Sequence, residues 1–165
     1  VHLEKLEAGV SVVQIVGEFE DKLNAADLTL LIQKPETPVY VMADGRHFWR
    51  VIDNLMNNIC KYAQPGTRVY VDLRENGGQV ELIFRNTSRY PLNISSEELM
   101  ERFVRGDESR NTEGSGLGIS IAKSLMELMG GSFMLYVDGD LFKVVLGFAQ
   151  MEEEKEPLDE DKSGK

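Results

Sequence analysis

A chain of 165 residues with 42% hydrophobic content is long enough to fill the core of one ordinary domain. Its formal charge of -10 argues against a nucleic-acid partner, because gripping a phosphate backbone draws on clustered lysine and arginine. The single cysteine, Cys60, excludes an internal disulfide and a multi-cysteine zinc site and fits a reducing cytosol.

From the start, Leu3, Leu6, Val10, Val13 and Phe19 suggest a helix, although the β-branched run VSVVQIV also suits a strand. LTLLIQ (28 to 33) and PVYVMA (38 to 43) read as two strands joined by a short turn at KPET. A clear helix follows. Asp44 can cap it, and Phe48, Val51, Ile52, Leu55, Met56 and Ile59 recur at the helical period until QPG at 64 to 66 stops it. TRVYVDL and QVELIF, with ENGG between them, alternate as the arms of a hairpin. SSEELMERF (95 to 103) reads as a short helix capped by Ser95 or Ser96, with Glu98 placed for a capping box.

Residues 104 to 116 are polar and aperiodic, which predicts a loop. The next helix is expected to bury Leu117, Ile121, Leu125 and Leu128 or Met129, and to stop at Gly130 and Gly131. SFMLYV and LFKVVLGF around DGD predict a last hairpin, so the expected domain covers 1 to 149. Residues 150 to 165, rich in acids and without aromatics, read as a disordered tail. No run of roughly 18 apolar residues is present to cross a bilayer. Strand pairs on tight turns interleaved with helices predict an α+β fold, a two-layer α/β sandwich whose mixed sheet is covered on one face by helices.

Two features carry chemistry. Gly114, Gly116 and Gly118 precede or open a helix, where unpaired N–H groups favour an anion and glycine lets the backbone approach it. The spelling fits neither the Walker A loop nor the dinucleotide fingerprint. A flexible hinge before an ordinary core helix explains the glycines equally well. Second, Arg50, Asn54, Asn58 and Lys61 fall on one stripe of the helix from Asp44. Asparagine is a mediocre helix former, and its carbonyl oxygen suits Mg²⁺; a solvated face is the alternative.

In combination these segments resemble a known family. DGRHFWRVIDNLMNNICKYA resembles the N box, ERFVRGD the F box and GSGLGISIAKSL the second glycine box of the histidine kinase ATP-binding domain. That domain has the GHKL (Bergerat) fold, shared with the Hsp90 chaperone, type II topoisomerases and the MutL repair protein. The resemblance covers about residues 1 to 149 and implies ATP and Mg²⁺ as ligands. It makes Asn58 the Mg²⁺ ligand with Asn54 in support, sets Lys61 against the phosphates and puts Tyr62 in the nucleotide pocket. It lays Gly114, Gly116, Leu117 and Gly118 along the phosphates through their backbone and adds Arg105 at the lid. Phe103 matches the F-box phenylalanine, as a core anchor or a nucleotide contact.

One departure stands out. After QVELIF the family carries D-x-G-x-G, whereas this chain reads RNTSRYPLNIS, with Asn86 in place of the adenine-binding Asp and both glycines missing. An amide can still accept from the adenine amino group, so altered base selectivity and a degenerate, weakly binding or purely interacting module are both implied. The family's acceptor histidine is missing as well, since His2 and His47 fit no acceptor context. The resemblance therefore implies the cytosolic catalytic part of a membrane-anchored two-component sensor. Its partners would be the histidine-bearing dimerisation domain of the same kinase and, indirectly, a response regulator. A GHKL serine kinase or ATPase is the alternative within the superfamily. Trp49 and Cys60 are expected in or beside the core, and the methionines are expected as core filler.

Overall fold

A computed structural model describes residues 1–105 and 117–152, with side chains detailed for 1–103 and 118–152. In chain order the elements are β1 Glu4–Glu7, α1 Ala8–Gly17, α2 Glu20–Ala25, β2 Thr29–Gln33, β3 Tyr40–Ala43, α3 Gly45–Tyr62, β4 Arg68–Asn76, β5 Gln79–Thr87, α4 Ser96–Arg105, α5 Leu117–Leu128, β6 Ser132–Asp138 and β7 Leu141–Met151. The strands form a mixed sheet in the order β1-β3-β7-β5-β4-β2, with β6 also paired to β7. Helices cover one face, as the expected two-layer α+β architecture requires.

The pleat decides which residues meet the helices. Val71, Phe84, Val144 and Leu135 lie side by side across β4, β5, β7 and β6, and all four are buried. The next row is Val69, Asn86, Phe142 and Val137. Asn86 is its one polar member and is only 4% exposed. On the opposite face Arg85 stacks over the Tyr70 ring at 4.6 Å and pairs with Asp72 at 3.0 Å.

α3 forms as its sequence dictates. Asp44 accepts from the N–H groups of Arg46 and His47, and the buried set is Phe48, Val51, Ile52, Leu55, Met56 and Ile59. Burying side chains of this kind contributes about 1.5–3 kcal/mol each. The two-residue turn between β4 and β5 is also as expected, since Gly77 and Gly78 have φ of 57° and 85°, the conformation that fits a hairpin's twist.

Three expectations fail, each because a distant partner decides the outcome. β2 and β3 are not a hairpin: β2 pairs in parallel with β4, while β3 pairs with β1 and β7 at the other end of the sheet. Pro35 and Pro38 in the connection offer none of the left-handed residues that a tight hairpin turn needs. Second, residues 4 to 7 are strand, and the helix begins only after Glu7, whose carboxylate accepts from Gly9 and Val10 N–H. α1 buries Val12, Ile15 and Val16 but leaves Val10 and Val13 exposed. Ala8 N–H donates to Val39 carbonyl at 2.7 Å, which fixes the start of α1 and so chooses the inward side of an almost uniformly apolar helix. Third, Leu125 of α5 and Met129 just after it are buried as expected, but the inward side of α5 is completed by Ile119, Ala122 and Met126, while Ile121 is only partly covered and Leu128 is exposed. Trp49 likewise lies at the surface, 42% exposed, with its indole N–H donating to Glu18 at 3.3 Å.

β7 runs two residues past the expected domain boundary, to Met151. The rest of the expected tail, 153 to 165, lies outside the described residues.

Candidate functional site

The C-terminal half of α3 brings Asn58, Lys61 and Tyr62 to the wall of a cavity of about 700 Å³, within the roughly 300–1,000 Å³ typical of small-molecule sites. They share that wall because residues three and four apart on a helix lie on one face. Asn86 and Phe142 of the neighbouring strands supply the floor, and Leu92, Ile94, Leu99 and Phe103 close it on the far side. The Phe103 and Phe142 rings meet edge to face at 6.3 Å, so Phe103 both anchors α4 and lines the cavity.

The far side is shaped by residues 88 to 94, which contain no glycine. Backbone hydrogen bonds hold this segment from two directions: Arg89 N–H donates to Tyr62 carbonyl at 2.8 Å, Ser88 N–H to Asp140 carbonyl at 2.7 Å, and Leu92 N–H to Gly139 carbonyl at 3.1 Å. Ser88 Oγ accepts in turn from Tyr90 N–H. A wall can thus be built here without D-x-G-x-G. Sequence reasoning missed Ser88, Leu92, Ile94, Leu99, Arg102 and Phe142. The segment has no helical or strand period to read, and only the pairing of β5 with β7 sets Phe142 beside Asn86. Arg102 lines the cavity and pairs with Glu98 at 3.5 Å. The predicted Arg105 belongs to the last turn of α4, and its side chain lies outside the described residues.

Asn54, one turn before Asn58, sits instead at the seam between α3 and α5. A Cβ on Gly118 would meet Asn54 Cβ, Cγ and Oδ1, each at 3.7 Å. The Asn54 Nδ2 is buried and finds no partner among the described residues, a costly arrangement unless a ligand supplies one. The N-terminus of α5 therefore opens beside the amide stripe of α3. Leu117 begins that helix, whereas Gly114 and Gly116 lie outside the described residues. Arg50 is exposed and belongs to no cavity wall.

The donor set fits a hard cation shared with an oxyanion. No cluster of three or more His, Cys, Asp or Glu able to hold a metal exists among the described residues, so a carboxylate cage is excluded there. Amide carbonyls plus phosphate and water oxygens are what Mg²⁺ accepts, and the orphaned Asn54 amide marks a place where such a group is wanted. Burial raises Asp53 and the Cys60 thiol, but neither lines the cavity. Cys60 is half-buried, as expected.

Both histidines are at the wrong end. Asp44, the cap of α3, accepts from His2 N–H at 2.7 Å and from His47 N–H at 3.1 Å, and His47 stands about 16 Å along the helix axis from Asn58 at about 1.5 Å per residue.

An α+β domain with one face of its sheet covered by helices and a small-molecule cavity between the layers is the class that this cavity and sheet define. The family model described as histidine kinase-, DNA gyrase B- and HSP90-like ATPase matches residues 43–157, and the chain belongs to that family. It is 29% identical over 143 residues to the probable sensor kinase SilS of Salmonella typhimurium, covering 85% of this chain and 29% of that protein. The probable sensor protein PcoS of Escherichia coli is 34% identical over 110 residues, 64% of this chain and 24% of its own length. The fold is that of the catalytic domain of histidine kinase ThkA, with a TM-score of 0.77 at 18% identity over 91% of this chain and 97% of that one. The matched part of the chain thus spans only 29% and 24% of the length of these two sensor relatives. Among the described residues no helix is long and apolar enough to cross a membrane.

Proposed function

We propose that this domain binds ATP with Mg²⁺ and presents the γ-phosphoryl group to a histidine on a separate helical domain of a two-component sensor. The observation that carries the reading is the meeting of the α3 amide stripe with the start of α5 beside one apolar cavity. Bound Mg²⁺ supplies charge neutralisation at the phosphates.

The chain's own residues bind and orient. Asn58 offers its carbonyl oxygen to the metal, with Asn54 in support and its buried N–H₂ available to a phosphate oxygen. Lys61 gives a compact positive charge toward the phosphates. N–H groups from Leu117 and Gly118, with Gly114 and Gly116 before them, meet phosphate oxygens at the positive end of α5. Tyr62, Asn86 and Phe142 hold the base, and Arg105 joins at the lid.

A phosphoryl group in flight needs positioning and charge compensation more than covalent help, which is what these amides, Lys61 and the backbone N–H groups of α5 offer. The nucleophilic imidazole then comes from elsewhere, since His2 and His47 stand at the opposite end of α3. On this reading the domain works on the cytoplasmic side of a membrane-anchored sensor, upstream of a response regulator.

The test is to mix the chain with the helical acceptor domain of its own kinase and ATP labelled at the γ-phosphate. The expected result is acid-labile label on the acceptor domain and none on this chain alone. Acid-stable label on serine would instead indicate a serine kinase of the same superfamily.

A further inference from the structure

Resting on the nucleotide-binding reading, the character of the cavity floor points to the class of base. Asn86 is 4% exposed, in an inward row whose other members are Val69, Phe142 and Val137. Its backbone lies between the paired strands β4 and β7, so the side-chain amide is the polar group that this position offers to the cavity. No hydrogen bond to that amide is found among the described residues. The surrounding Leu92, Leu99, Phe103 and Phe142 supply flat apolar contact for a ring, with Lys61 and Arg102 as the charged members of the same lining.

A carboxamide carries an acceptor and a donor side by side, and a half-turn about its last torsion exchanges them. A 6-aminopurine presents an amino donor next to a ring-nitrogen acceptor; a 6-oxopurine presents a carbonyl acceptor next to a ring N–H donor. With the ring in one and the same orientation, the amide satisfies either edge by turning over. A carboxylate there would accept from the amino group but face the 6-oxo group oxygen to oxygen. We infer that Asn86 makes the site accept 6-oxopurine as well as 6-aminopurine nucleoside triphosphates. A buried hydrogen-bonding group discriminates strongly only when the wrong ligand leaves it unpaired, and here neither ligand does.

The probes are ATP and inosine triphosphate, which differ only along that edge, with GTP as a third, titrated calorimetrically in Mg²⁺ against the chain as it stands. The expected dissociation constants for ATP and inosine triphosphate agree within about tenfold. Asn86→Asp should weaken inosine triphosphate relative to ATP by about tenfold or more, and Asn86→Leu, which matches its apolar row, should weaken both together. A preference of the unaltered chain for ATP of about a hundredfold or greater, or an unchanged ratio in Asn86→Asp with the folded state confirmed by thermal melting, overturns the inference and leaves ATP binding standing. Binding of none of the three overturns the nucleotide reading itself.

Discussion

Asn54 and Asn58 are a single turn apart on α3, yet they meet different surroundings: one is pressed under Gly118 and the other opens to the cavity. Both were legible because an amide in mid-helix is a poor choice for local stability, and the period shows which face it occupies. Lys61 follows from the same spacing, and Tyr62 from the family resemblance. Removing the oxygen proposed to meet the metal should leave the core untouched, because Asn58 is not one of the buried α3 side chains. Asn58→Ala is therefore expected to weaken ATP binding at least about tenfold in Mg²⁺ and to change it little in EDTA, whereas equal weakening in both would assign Asn58 to packing.

Asp44 gives a second prediction at this scale. Its carboxyl is lowered from the ordinary 3.8 to about 2, first by the N–H of His2, then by that of His47, against the opposing effect of burial. A depressed folded-state value contributes stability that is fully present above the unfolded value and lost as pH falls through the folded one. Urea midpoints should thus decline between about pH 4 and pH 2 more steeply in the parent than in Asp44→Asn, which keeps the cap without titrating. Identical slopes would remove Asp44 from the acid response.

Among the elements, α3 and the β4–β5 hairpin were readable because cap, period and turn residues all lie within a few residues of one another. α1, β2 and β3 were readable as elements, but the inward side of α1 and the pairing of β2 and β3 were not. An all-round apolar helix does not say which side is inward, and a parallel pairing such as β2 with β4 leaves no turn signal between its members. The junction of α5 and β6 shows how close contact constrains an element. A Cβ on Gly131 would fall 2.6 Å from the Gly147 carbonyl oxygen and 2.7 Å from Met126 Cε. The backbone oxygen belongs to the central strand β7 and has little room to yield. Gly131→Ala is expected to cost about 1–3 kcal/mol in urea denaturation, against no loss if β6 shifts freely.

Over the whole molecule, the proposed base pocket draws on the sheet and on Tyr62 of α3 while the proposed phosphate side draws on α3 and α5, so nucleotide binding would join the two layers. Part of this was beyond sequence reading for a physical reason: the wall from 88 to 94 owes its shape to hydrogen bonds from Tyr62 and Gly139, residues remote in the chain. Neither histidine lines the cavity, as the proposed transfer to a separate domain requires. The most direct measurement is an NMR titration of the ¹⁵N-labelled chain with a non-hydrolysable ATP analogue and Mg²⁺. Side-chain amide signals of Asn54, Asn58 and Asn86 and backbone signals of Leu117 to Ile119 should move together along one binding curve. Movement of the α3 amides with the start of α5 unaffected, or no saturable shift at either, would contradict a shared triphosphate site.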